Sequence, residues 1–134
     1  MEFAVARAIV YYRAGYVTKA ISDLSGTLDG VVNIYANERG KDADELEKRI
    51  RGLLEKMKGQ ITSDISDATD NVALNAVITR NHGFDVGDTH YTLHDLLGLM
   101  TRVNNGESPE ILPAEYGFRD KAVEILEERK KRGL

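Results

Sequence analysis

Two apolar stripes at helical spacing occupy the first eighty residues, and a chain patterned in this way has few folds open to it. The first stripe runs through Phe3, Ala6, Val10, Arg13, Val17, Ala20, Leu24, Thr27, Val31 and Ile34, in steps of three and four. Only Arg13 and Thr27 break its apolar character. Such spacing keeps one seam of a helix against a neighbour over many turns. The second stripe runs through Leu46, Ile50, Leu54, Met57, Ile61, Ile65, Ala68, Val72, Ala76 and Thr79, and its steps make an eleven-residue repeat. That repeat drifts opposite to a heptad, so the two stripes together average close to a straight helix. They predict a long antiparallel helical hairpin over residues 3–80, with arms of about 50 Å at about 1.5 Å per residue.

Between the stripes, Asn37, Glu38, Arg39, Gly40, Lys41 and Asp42 interrupt the apolar pattern. Gly40 stops the first arm, Asp42 or Asp44 caps the second, and Glu45 and Glu47 suit the positive end of its dipole. A connection this short makes the arms antiparallel neighbours. Gly26 and Gly30 weaken the first arm by about 1 kcal/mol each relative to alanine. A break at either one, giving two shorter helices, is the alternative.

The N-terminal arm carries more apolar surface than one neighbour can cover. Val5, Ile9, Tyr12 and Tyr16 form a second line beside the seam, and a helix that is apolar nearly all round is normally buried nearly all round. Arg13 sits on the seam itself, where a charge needs a partner and can fix register between subunits. We therefore expect a self-association interface made of Val5, Ile9, Tyr12, Arg13 and Tyr16, with homo-oligomers as the product. Tyr11, Tyr12 and Tyr16 beside Arg7, Arg13 and Lys19 match the tyrosine and arginine enrichment of protein interfaces. Core packing with the hydroxyls at the rim is the plainer explanation. Arg7, Arg13 and Lys19 rule out a membrane span over this segment, and Glu2 ahead of the apolar run does not suit a signal peptide.

After the hairpin the pattern becomes local. Gly83, Asp85, Gly87 and Asp88 predict a loop over residues 81–91, with one short extended piece at Phe84–Val86. Thr92 followed by Asp95 is a capping-box signal for a helix over 92–104, stopped at Asn104, Asn105 and Gly106. Pro109 and Pro113 hold an extended connection. A last helix over 118–132 carries Ala122, Ile125 and Leu126 and ends in Arg129, Lys130, Lys131, Arg132 and Gly133. The fold class is all-α, a helical bundle forming a single domain over 1–134. That length is sufficient for a real core, and the apolar share of 42% and charged share of 30% are those of an ordinary soluble protein.

Four constellations could carry chemistry. His82, His90 and His94 fall within thirteen residues of one another. The last two would share a helix face as metal ligands do, but a cap at Thr92 leaves His90 outside the helix, so no metal is assigned. Asp64, Asp67, Asp70, Asn71 and Asn75 offer oxygen ligands without a glycine-centred calcium loop, and read as a solvated or subunit-contacting face. Lys48, Arg49, Arg51, Lys56 and Lys58 form a basic strip that could neutralise phosphates. Glu45, Glu47 and Glu55 are interleaved with it, as in a helix held by exposed ion pairs. The tyrosine group above is the fourth.

The chain has no cysteine, which excludes disulfides and thiolate metal sites, and a net charge of −4, which argues against a surface that grips nucleic acid as a whole. No phosphate loop and no serine elbow is present. We therefore expect a non-enzyme without cofactor or small-molecule substrate: a self-associating structural subunit of coat, shell or filament type, as in a virion. Two alternatives stand beside it. One is a nucleic-acid-associated protein using the Lys48–Lys58 strip, including a packaging coat; the other is a small helical adaptor or inhibitor of another protein. Compartment is not fixed by these features.

Overall fold

A computed structural model describes residues 2–34 and 40–133, and the protein is mainly helical. Six α-helices appear among the described residues: α1 (Glu2–Arg13), α2 (Val17–Ile34), α3 (Lys41–Ser66), α4 (Asn71–Arg80), α5 (Leu93–Asn104) and α6 (Phe118–Lys131). Two three-residue strands, β1 (Phe84–Val86) and β2 (Thr89–Tyr91), make an antiparallel pair. Of the segment expected to join the hairpin arms, Asn37, Glu38 and Arg39 lie outside the described residues. The chain divides into two compact units, residues 1–60 and 61–134, and α3 contributes residues to each.

Each expected arm is two helices. The first arm ends at Arg13 and restarts at Val17, so the break falls at neither Gly26 nor Gly30, both of which lie inside α2. Gly15 is the cause. It adopts φ 93 and donates to Tyr12 O at 3.1 Å, while Tyr16 N reaches back to Tyr11 O at 2.9 Å. That pairing is the Schellman closure, which requires a left-handed residue after the last turn. The second arm breaks after Ser66, and Asp70 caps α4 by accepting from Ala73 N at 2.8 Å. The run of Ser, Asp and Thr through this stretch is the reason, because short polar side chains compete for the backbone and favour caps over helix interiors.

In the first unit, α1 and α2 pack closely as a helical hairpin, with Ala8 and Ala20 fully buried. Val5, Leu24, Val31, Ile50 and Met57 are also buried in this unit. Ser25, Leu28 and Asp29 of α2 line a groove with Arg51, Leu54 and Glu55 of α3, which places α3 beside α2.

The second unit is built round an aromatic centre. Phe84 and Phe118 are fully buried, with ring centroids 5.3 Å apart, and Tyr116 stands 5.7 Å from Phe84 on its other contact. Aromatic pairs at these tilted and edge-on separations add to the burial of the rings. The expected loop over 81–91 is a hairpin. Phe84 is paired with Tyr91 and Val86 with Thr89, around a two-residue turn in which Gly87 takes φ 59, the positive φ that tight hairpin turns demand. The capping box forms as expected: Asp95 N donates to Thr92 Oγ1 at 3.1 Å and Thr92 N to Asp95 Oδ2 at 3.0 Å. The proline-bearing connection is less extended than expected, since Pro109–Ile111 form a 3-10 turn. Arg119 clamps that turn to α6, donating from Nε to Leu112 O at 2.8 Å and from Nη2 to Glu110 O at 3.0 Å.

Candidate self-association surface

The two apolar lines on α1 divide unequally between core and solvent. Val5 is 1% exposed and Ala8 is fully buried, with Ile9 and Tyr12 half-buried beside them. Phe3 and Val10, placed by the stripe on the seam, are instead 80% and 66% exposed. Helix geometry explains the division: α2 packs against the side of α1 that carries Val5, Ala8 and Tyr12, and Phe3 and Val10 lie well round from it. They are seven residues apart, within about 20° of one another around the axis. Val5 is therefore corrected from interface to core, because a side chain already enclosed cannot meet a partner. Ile9 and Tyr12 offer only part of their surface.

The remaining expected interface residues sit at the α1–α2 corner. Arg13 is exposed and ends α1, while Tyr16 is 40% exposed with its ring edge-on to Tyr11 at 6.2 Å. Lys19 Nζ lies over the Tyr11 ring at 5.7 Å and also pairs with Asp23 Oδ1 at 3.1 Å. These contacts give the tyrosines a local task, closing the corner, in addition to any contact they make outside the chain. Cation–π and exposed ion pairs of this kind contribute on the order of 0.5–1 kcal/mol each.

On the outer side of α1, Phe3, Ala6, Arg7 and Val10 occupy positions i, i+3, i+4 and i+7. Four residues so placed form the hole that accepts a knob from a facing helix. All four are exposed. Fully burying Phe3 or Val10 is worth about 1.5–3 kcal/mol each, which makes this face the largest uncollected apolar gain on α1. The apolar stripe places Phe3 and Val10 on the packed side, and no signal within α1 distinguishes the two lines. The choice depends on which of them α2 covers.

The other constellations separate in space or in role. Lys48, Arg49, Arg51, Lys56 and Lys58 are all exposed on α3, and Arg51 pairs with Glu47 at 3.6 Å one turn back. Gly52 and Gly59 lie in the middle of that exposed face, with open space above both. Asp64 is held by Arg80 at 2.8 Å, and Asp70 is spent on its cap. Asn71 and Asn75 each keep a buried amide oxygen without a partner. His90 Nδ1 meets Asp85 Oδ1 at 2.6 Å across the β1–β2 pair, and His82 takes φ 59 at the end of α4. Among the described residues no three histidine or carboxylate side chains converge as metal ligands. No helix of the described residues is long and apolar enough to cross a membrane. Comparison with known proteins returns no matching family model, no matching curated protein and no matching solved structure.

Proposed function

We propose that this protein is a self-associating structural subunit, of the coat, shell or filament type, that assembles through the outer face of α1. The observation that carries this reading is the exposure of Phe3 and Val10 on one line of a helix whose opposite side is already packed on α2. Large apolar side chains two turns apart on a solvent face mark a surface that gains by meeting another. Ala6 between them leaves room for a knob, and Arg7 and Arg13 form a polar border, in keeping with the apolar centre and charged rim of protein interfaces.

Molar mass by light scattering after size exclusion, over a hundredfold concentration range and with nuclease-treated protein, tests the reading. A discrete oligomer or polymer that becomes monomeric when Phe3 and Val10 are replaced by serine supports it. A monomer at every concentration overturns it. One observation favours a second reading: Lys48, Arg49 and Lys56 stand exposed around Gly52 on α3, where a phosphate backbone can approach closely. Under that reading, retention on heparin falls steeply with salt and weakens when these three residues are replaced by glutamine.

A further inference from the structure

Of the asparagines in the chain, Asn105 alone is followed by a glycine. That order opens one reaction to a side-chain amide: attack on its carbon by the backbone nitrogen of the next residue, which glycine leaves unshielded because it has no side chain. Both Asn105 and Gly106 are exposed, as is every residue from Asn104 to Glu110. The space beside Gly106 is open as well, since a methyl group built on it would meet nothing within 4 Å.

The resting fold holds the two reacting atoms apart. Asn105 caps the end of α5 at φ −89 and ψ 4, and Gly106 follows in the left-handed region at φ 112. Gly106 N donates to Val103 O at 3.1 Å and Glu107 N to Arg102 O at 3.1 Å, the two bonds of a Schellman closure. At that ψ the Gly106 nitrogen is eclipsed with the backbone nitrogen of Asn105, a third of a turn away from its Cβ. A five-membered ring requires the nitrogen to be eclipsed with Cβ, so the peptide must swing round and both closure bonds must break. The Arg102 guanidinium opposes this motion. It donates to the Glu107 carboxylate from Nε at 2.5 Å and from Nη2 at 2.9 Å, spanning the turn from its first residue to its last. A two-bonded pair of this kind fixes geometry as well as adding energy. Both side chains are about half exposed, so the pair is worth only about 0.2–1 kcal/mol, and helix ends of this kind open locally.

We propose that Asn105 is a site of spontaneous deamidation, and that the Arg102–Glu107 pair across the turn sets its rate. The Gly106 nitrogen bonds to Asn105 Cγ, the Cγ–Nδ2 bond breaks, and ammonia leaves with the proton that Gly106 gives up through water. The cyclic imide then takes up one water. Opening at Cγ yields aspartate, and opening at the backbone carbonyl yields isoaspartate, which carries the side-chain methylene in the main chain. Either product puts a carboxylate beside Glu107 and at the carbonyl end of α5, where the helix dipole disfavours negative charge. Isoaspartate also lengthens the backbone within the turn, so the closure bonds do not re-form. The modification is independent of the self-association proposed above.

The test is to hold the folded full-length chain in warm, mildly alkaline buffer, well below its melting transition, and to follow peptide maps by mass spectrometry. Conversion of amide to acid appears first at Asn105, divided between aspartate and isoaspartate peptides that elute separately. Glu107→Ala removes the pair from an exposed surface, keeps the melting temperature close to that of the parent protein, and speeds conversion about two- to fivefold. Glu110→Ala, which removes a nearby exposed carboxylate outside the turn, leaves the rate unchanged. Conversion first at another asparagine, or none at Asn105 in the folded parent protein, overturns the site. Equal rates in the parent protein and Glu107→Ala, or an equal gain in Glu110→Ala, overturn the part assigned to the Arg102–Glu107 pair.

Discussion

Gly83 faces the backbone carbonyl of Tyr91 so closely that a side chain at position 83 would run into the Tyr91 oxygen and crowd His90 Cε1 at 3.3 Å. Gly83 also holds φ 87 and donates its N–H to Ile78 O at 2.9 Å, completing the Schellman closure in which His82, at φ 59, is the left-handed residue. Two consecutive left-handed residues let the chain turn from α4 directly into β1. Gly83→Ala meets both the steric wall, which is backbone and cannot rotate away, and the left-handed penalty. We expect a loss of about 3 kcal/mol in denaturant unfolding. A loss below about 1 kcal/mol would show that β2 moves aside freely.

The capping box at the start of α5 gives a prediction in acid. Asp95 is held below the usual carboxylate range, first by the Thr92 backbone N–H and then by the Thr92 hydroxyl, with the His94 and His90 charges adding to the effect. A carboxyl group lowered in the folded chain contributes stability that is present above its unfolded value and lost as pH falls through its folded one. Thr92→Ala should cost about 1 kcal/mol at neutral pH. Asp95→Asn should flatten the decline of stability below about pH 4, read from urea midpoints across that range. An unchanged acid limb in Asp95→Asn would mean the cap bond is not kept in solution.

The capping box was legible in the sequence because its parts lie three residues apart and act on one another directly. The aromatic centre of Phe84, Tyr116 and Phe118 was not, since the residues that meet are about thirty positions apart and no periodicity links them. The breaks at Gly15 and Asp70 were hidden by the stripes themselves. Val17 falls at the right step after Val10 and Arg13, so counting carries the helix across a turn that a single positive φ makes. The candidate surface was half legible. Surplus apolar character on α1 is visible in the sequence, but which line faces outward depends on the packing of α2.

Phe118 should be the most sensitive position in the second unit. Its ring is fully buried, stands edge-on to Phe84, and opens α6 immediately after Gly117, which itself takes φ 75. Phe118→Ala removes the ring and leaves a hole that Phe84 can fill only by abandoning Tyr116. A loss of about 3–5 kcal/mol is expected, with the Phe118→Leu variant recovering much of it. Equal losses in the two variants would place the cost in the start of α6 and not in the aromatic packing.

Tyr116 carries a prediction at the alkaline end. Burial against Phe84 pushes its phenol up to about 12, and the negative charges of Glu115 and Asp85 push in the same direction. The folded chain therefore keeps this proton over a range where the unfolded chain, with an ordinary phenol near 10, has already released it. By linkage, the stabilising contribution is complete below about pH 10 and is lost as pH rises to about 12, the opposite sign to Asp95. Tyr116→Phe keeps the ring on Phe84 but has no proton to lose. Between pH 10 and 12 the parent protein should lose more stability than Tyr116→Phe, with the two curves parallel between pH 7 and 9. Parallel curves throughout would mean that the Tyr116 hydroxyl reaches water in the folded protein, and that its left-handed backbone at φ 58 serves the turn into α6 alone.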